Sequence, residues 1–129
     1  MPNIPSIMGL HLRYRLWIAE LNNDINILRI FADYLMELKA KKMEPEVKEG
    51  IDEFKKKFEK SREEIDELRH EMHLLKMKLA ADSRNQKLIS YKTYRADKHS
   101  ELKKRWLAQR KKFDHLKKEF SGFEGKWLQ

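Results

Sequence analysis

The residues best suited to chemistry in this chain are a carboxylate and two imidazoles in one short run. Glu67, His70 and His73 follow one another at intervals of three residues, as metal ligands on a helix do. Di-iron sites in helical bundles use two Glu-x-x-His motifs and two further glutamates, all directed inward, whereas this chain offers one motif. The apolar residues Leu68 and Met72 also place all three side chains on the outer side of their helix. We therefore expect solvated histidines and no metal site.

Other catalytic chemistry finds no support in the sequence. The chain has no cysteine, which excludes disulfides and cysteine-based zinc sites. It has no Gly-rich phosphate loop and no H-E-x-x-H motif, and its four glycines fall at predicted helix ends or in the C-terminal tail. We therefore expect no enzymatic activity, no cofactor and no small-molecule substrate.

The second functional candidate is a dense set of cations in the last third of the chain. Residues 82–129 carry 14 Lys and Arg against 6 Asp and Glu, which accounts for the whole net charge of +8. If Trp106 and Phe113 occupy the core position a of a heptad, eight cations fall at positions e, f and g. We call these the basic ridge: Lys103, Lys104, Arg105, Arg110, Lys111, Lys112, Lys117 and Lys118.

The basic ridge supports two functional hypotheses. A continuous row of cations is typical of a surface that binds phosphates or acidic proteins, although many charged helix faces are simply solvated. Our first hypothesis is a non-enzymatic helical interaction or scaffold module whose ridge binds an acidic protein partner. The alternative is a nucleic-acid-associated protein that binds phosphates without base specificity, since no helix-turn-helix, RNA-recognition sheet or free stacking aromatic is evident.

Long helices must position these residues. Glycine and proline are absent between Gly50 and Gly122, which leaves little besides helix there. Apolar residues recur at alternating intervals of four and three, as in coiled coils. We predict three helices of similar length, at residues 9–42, 46–81 and 84–121. A short aromatic tail follows at 122–129.

Matched helix lengths predict an all-α, elongated, antiparallel up-down-up three-helix bundle with coiled-coil-like packing, formed by a single domain of 129 residues. Residues 82–86 contain turn- and cap-forming side chains, and Ser83 with Gln86 matches a capping box, so we place the second reversal there. The alternative is one continuous helix from Pro45 to Ser121.

Polar residues interrupt the apolar stripes. Asp24 occupies a stripe position of the first helix, where an unpaired carboxylate is costly. Either it forms a polar layer with Arg62 or, as a second choice, His99, or the stripe is rotated so that Ile25 faces inward and Asp24 faces water; we favour the rotated stripe. Ser61 of the second helix is expected to lie level with Trp106, whose indole needs the space.

The first helix carries more apolar residues than one core stripe needs. We call the additional set the association face: Leu16, Ile27, Ile30 and Tyr34. We predict that a homodimer buries this face, because exposed apolar patches of such size usually mark interfaces. The alternative is that the aromatic tail folds back over it.

The sequence also bears on location. The N-terminal segment has no basic region ahead of its apolar residues and is broken by prolines, so we do not interpret it as a signal peptide. No apolar window approaches the roughly 20 residues that span a bilayer. We therefore expect a soluble, cytoplasmic protein.

Overall fold

The computed structural model describes residues 7–41, 43–84 and 96–127. The chain forms three helices in these ranges: α1 (Ile7–Lys39), α2 (Pro45–Arg84) and α3 (Ala96–Trp127). No strand occurs within them. The architecture is therefore the all-α three-helix bundle that the sequence predicts.

Contacts between the helices give their directions. Lys39 near the end of α1 pairs with Asp52 near the start of α2, with an Nζ–Oδ1 distance of 3.2 Å. Lys57 near the start of α2 pairs with Glu119 near the end of α3, with an Nζ–Oε2 distance of 3.0 Å. Helices that follow one another in sequence are therefore antiparallel, and α1 and α3 are parallel.

The core follows the predicted stripes. Each residue of the alternating four-and-three pattern whose burial the structure describes is buried or packs against the buried cluster. This includes the polar residues Asp24, Ser61 and Gln109. Large apolar side chains of α1 are exposed at Met8, Leu12, Leu16, Ile30 and Met36.

The connection between α2 and α3 differs from the prediction. Residues 82–84 belong to α2, so the reversal does not begin at Asp82 and Ser83 does not cap α3. The side-by-side packing of α2 and α3 also contradicts the alternative of one continuous helix. Residues 85–95, which include the rest of the predicted turn and the start of the predicted third helix, lie outside the described residues.

The end of α3 also differs from the prediction, because the helix continues past Gly122 to Trp127. The ring of Phe123 lies 5.0 Å from that of Phe54, measured between centroids, so it packs on α2. The alternative of a tail that folds back over α1 is therefore wrong for Phe123. A Cβ added at Gly50 would lie 2.5 Å from Cε2 of Phe123, which explains a glycine within α2.

The two ends of the bundle have different cores. One end, which we call the phenylalanine end, contains Phe31, Phe54, Phe58, Phe120 and Phe123. The other, the tryptophan end, contains Tyr14, Trp17, His99 and Trp106. The candidate functional residues divide between these two ends.

Candidate interaction surface

Part of the basic ridge pairs with α2. Arg105 and Lys112 occupy heptad position g, and each meets a glutamate at position g of α2, as antiparallel coiled coils allow. A third pair of the same spacing has its charges reversed. We call the set the charge ladder: Arg105–Glu71, Lys112–Glu64 at 3.4 Å and Lys57–Glu119 at 3.0 Å.

The charge ladder lowers the pKa of two carboxyl groups, Glu71 and Glu119. A hydrogen bond from Arg105, with help from Lys98, holds the pKa of Glu71 below its usual value despite partial burial. A hydrogen bond from Lys57 lowers the pKa of Glu119 in the same way. Arg105 and Lys112 thus join α3 to α2, although the side chain of Lys112 remains 64% exposed.

Arg110 is a further ridge residue that contacts another helix, because its side chain turns toward the bundle. Its guanidinium donates to Asp24 of α1, with an Nη1–Oδ1 distance of 3.2 Å, and lies 4.5 Å from the ring centroid of Trp106. Asp24 is 3% exposed, so the interpretation that it faces water was wrong. Its partner is Arg110 and not Arg62, which lies beside Asp66. Burial lowers the pKa of Arg110.

The surroundings of Trp106 also differ from the prediction. Its indole stacks on that of Trp17, with ring centroids 5.4 Å apart. The neighbouring pair Arg105–Glu71 places Trp106 near the level of Glu71 on α2. Ser61 lies about 15 Å away along α2, so it does not make room for this indole.

The remaining ridge cations fall into two groups. Lys118 pairs with Asp114 at 3.1 Å, and Nζ of Lys117 lies 5.0 Å from the ring centroid of Phe113. The others are exposed and form no ion pair with any residue that the structure describes. We call these the open lysines: Lys103, Lys104 and Lys111.

A buried histidine lies beside the first open lysine. Nδ1 of His99 and Oη of Tyr14 share a hydrogen bond of 2.6 Å, and the imidazole stacks on Trp17. Burial lowers the pKa of His99, and the charges of Arg13 and Lys103 lower it further. Arg13 of α1 and Lys103 of α3 therefore both lie near His99.

The association face is less continuous than predicted. Leu16 and Ile30 are 59% and 62% exposed, while Ile27 and Tyr34 are half-buried against the core. The exposed Asn23 lies midway between Leu16 and Ile30 along the same flank of α1. The structure therefore presents two separate apolar areas on α1 where the sequence predicted one.

The Glu-x-x-His-x-x-His run lies on the surface of α2, where Glu67, His70 and His73 are all exposed. His70 and His73 line a shallow depression between α1 and α2 together with Asn22 and Arg69. In the described ranges, no three His, Cys, Asp or Glu side chains are arranged to hold a metal ion.

Sequence reasoning missed Leu107, which is 51% exposed on α3. Its neighbours on the helix surface, at i−4, i−3, i+3 and i+4, are all basic: Lys103, Lys104, Arg110 and Lys111. This pattern is visible in the sequence as one large apolar residue inside a cluster of cations. The apolar periodicity does not single out Leu107, because this residue lies outside the core pattern.

None of the helices, over the residues described, is long and apolar enough to cross a membrane. Comparison of the chain with protein-family models, with curated proteins and with solved structures finds no match.

Proposed function

We propose that this chain is a non-enzymatic helical interaction module whose open lysines bind an acidic protein partner. The proposal is supported chiefly by one observation: Lys103, Lys104 and Lys111 are exposed and have no ion-pair partner among the described residues. Their ridge neighbours Arg105 and Lys112 must break a bundle contact to bind anything else. The open lysines bear no such penalty, so among the ridge cations they are the ones most readily available to an anion.

The size and surroundings of this patch favour protein over nucleic acid. The open lysines span about 12 Å of helix, which allows contact with only a few phosphates. The nearest large ring, Trp106, is buried and stacked on Trp17, so it offers no platform for a base. Nucleic-acid association remains the alternative function, and the same experiment separates the two.

The experiment reverses the open lysines in the variant Lys103→Glu, Lys104→Glu, Lys111→Glu. A matched control reverses three exposed lysines of α2: Lys48, Lys56 and Lys60. Fluorescence anisotropy measures binding of poly-glutamate and of random-sequence duplex DNA from about 50 to 200 mM salt.

We expect wild type and the α2 control to bind poly-glutamate and the open-lysine variant to lose binding. Equal loss in both variants would attribute binding to net charge and contradict the proposal. DNA binding that is tighter than poly-glutamate binding and is lost only in the open-lysine variant would favour the nucleic-acid function.

We also propose that α1 mediates self-association around Ile30. Ile30 is 62% exposed, and the half-buried Ile27 and Tyr34 lie beside it at i−3 and i+4, so they form one apolar area. Arg29 and Asp33 are exposed next to this area. Opposite charges can therefore meet when two copies pack about a two-fold axis.

Size-exclusion chromatography with light scattering tests this second proposal. We expect wild type to form a dimer and Ile30→Lys to be a folded monomer with the helical circular dichroism of wild type, because the residue is exposed in the single chain. Met36→Lys, at another exposed position of α1, is the control and should remain dimeric. A monomeric wild type would contradict the proposal.

A further inference from the structure

We propose that the acidic partner is an amphipathic helix that lies along the groove between α1 and α3 and packs its apolar side on Leu16 and Leu107. We call this surface the α1–α3 groove. The inference rests on the proposed function, because the open lysines form one charged border of the groove. It adds the kind of element that binds and the apolar residues that anchor it.

The stacked tryptophans fix the two leucines relative to each other. The rings of Trp17 and Trp106 are 5.4 Å apart and nearly parallel, at 18°. Leu16 precedes Trp17 and Leu107 follows Trp106, and each residue is rotated about 100° from its neighbour around its helix. The two leucines therefore lie at one level of the bundle, and both are more than half exposed.

Both leucines belong to the flanks that border this groove. On α1, Leu16 shares a flank with Arg13 at i−3, and Arg13 lies close enough to His99 of α3 to lower its pKa. On α3, Leu107 shares a flank with Arg110 at i+3, and Arg110 reaches Asp24 of α1. Leu16 and Leu107 thus stand on opposite sides of the α1–α3 groove.

The distance across the groove suits one helix. Large side chains, chiefly the stacked Trp17 and Trp106, lie between α1 and α3, so the two axes are at least as far apart as the roughly 8–10 Å of closely packed helices, and a helix with side chains is about 10–12 Å wide. A helix that lies over the groove can therefore touch Leu16 and Leu107 at once. Apolar residues at i, i+3 or i+4 on such a helix would meet the two leucines in turn.

The charge around the leucines specifies an acidic occupant. The neighbours of Leu107 on the helix surface are all cations, and Arg13 is exposed beside Leu16. The acidic residue on this flank is Glu20, whose charge partly offsets the lowering of the pKa of Arg110 by burial. An apolar centre with a basic border complements a helix that has leucines on one side and carboxylates beside them.

The same charges disfavour a second copy of this chain in the groove. A two-fold contact brings the same surface of both copies together, so it would place Lys103 and Lys111 against their own equivalents. Like charges across an interface are strongly unfavourable. Phosphates, in turn, gain nothing from exposed leucines. An acidic amphipathic helix uses both the leucines and the cations.

Three synthetic peptides of about 18 residues, long enough to cover the groove, test the inference. The first is an amphipathic helix with leucines on one side and glutamates elsewhere. The second has serine in place of leucine at the same charge, and the third is a scrambled version of the first. Fluorescence anisotropy measures the affinity of each for the full chain.

The protein variants are matched for exposed apolar residues. The test variant is Leu16→Ser with Leu107→Ser, and the control is Leu74→Ser with Met77→Ser on α2, where the side chains are similarly exposed. We expect wild type and the control to bind the amphipathic peptide at least about tenfold more tightly than the other peptides. The test variant should lose that preference.

A measurement on wild type avoids any effect of the substitutions on folding. Amide chemical shifts on addition of the amphipathic peptide should change mainly at residues 13–20 of α1 and 103–111 of α3. Changes confined to α2 would overturn the inference.

Failure of the inference and failure of the proposed function give different results. The open-lysine variant could fail to bind all three acidic peptides while the leucine variant binds them like wild type. The α1–α3 groove would then not be the binding site, but the proposed function would stand. If wild type binds no acidic peptide, both are overturned. If duplex DNA displaces the peptide and binds the leucine variant as tightly as wild type, the occupant is nucleic acid and the inference is overturned.

Discussion

The two ends of the bundle are built from aromatic rings but hold them by different means. At the phenylalanine end, Phe120 contacts rings from both other helices, with centroids 4.9 Å from Phe31 and 5.2 Å from Phe58. At the tryptophan end, rings alternate with polar groups, such as the Tyr14–His99 hydrogen bond and the Arg110 guanidinium over Trp106. One end relies on apolar packing, and the other needs specific partners.

This difference separates stability from responsiveness. Apolar packing does not depend on pH or on a neighbour's charge, so the phenylalanine end should hold the helices together under most conditions. Buried polar groups stabilise only while they are satisfied. The tryptophan end also lies beneath the open lysines and the α1–α3 groove, so changes in its core bear directly on the proposed interaction surface.

The largest expected effect is at the phenylalanine end. Phe120→Ala removes a buried ring that packs on Phe31, Phe54 and Phe58, and leaves a cavity. We expect the free energy of unfolding, measured by urea titration, to fall by about 3–5 kcal/mol. The exposed Leu107→Ala is the control and should change it by less than about 0.5 kcal/mol. A similar small change for Phe120→Ala would show that the rings do not form the core.

The next largest effect is at the tryptophan end. Asp24→Ala leaves the partly buried guanidinium of Arg110 without its carboxylate, and we expect a loss of about 2–4 kcal/mol. The double variant Asp24→Leu with Arg110→Met should recover most of that loss, because an apolar pair needs no ionic partner. If the losses of stability caused by Asp24→Leu alone and by Arg110→Met alone instead add up in the double variant, the two residues do not interact.

A smaller effect depends on pH and distinguishes the two ends. The folded pKa of His99 is lowered by burial, Arg13 and Lys103, so the unfolded chain takes up a proton more readily. The contribution of neutral His99 is complete above the unfolded pKa of about 6.5 and is lost progressively as pH falls below it. Glu71 and Glu119 affect stability in a lower pH range. Folding lowers their pKa values, so their contribution to the free energy of unfolding is present above the unfolded pKa of about 4.3 and is lost as pH falls below it.

Chemical unfolding of wild type and His99→Phe at several pH values tests this expectation. Wild type should lose more stability than the variant between about pH 7 and 5, since only wild type titrates at this position there. Parallel curves over that range would mean that His99 does not change its pKa on folding.

The smallest effect concerns the close approach of Gly50 and Phe123. Alanine is favoured over glycine in a helix by about 1 kcal/mol, but a Cβ at Gly50 meets the Phe123 ring. We expect Gly50→Ala to gain this full amount only in a Phe123→Ala background and less in wild type. Thermal unfolding of the four variants measures the difference. Equal effects in both backgrounds would place Phe123 away from Gly50.

The core of this protein was predictable because its pattern is strong. Residues spaced alternately by four and three point to one side of a helix whatever their chemistry, so Asp24 is buried in phase with Leu21 and Leu28. The prediction failed where the chemistry of one carboxylate was given more weight than its position. Gly122 misled in a similar way, since packing of Phe123 on α2 compensates the weak helix preference of glycine.

The surface was less predictable because it depends on which flank faces which helix. A heptad places Arg105 and Lys112 at position g, but only the antiparallel register shows that Glu71 and Glu64 lie opposite. Arg110 is harder still, since a long side chain can turn inward when a ring and a carboxylate are both within reach. The eight-cation ridge therefore reduces to three open lysines.

The reversed third pair of the charge ladder has a consequence for how α3 can slide along α2. A shift of one heptad in one direction would bring Glu119 opposite Glu64, and a shift in the other would bring Lys112 opposite Lys57. A ladder with all its cations on one helix would tolerate both shifts. The reversal therefore disfavours both shifts, and the alignment it favours keeps Leu107 level with Leu16 across the bundle.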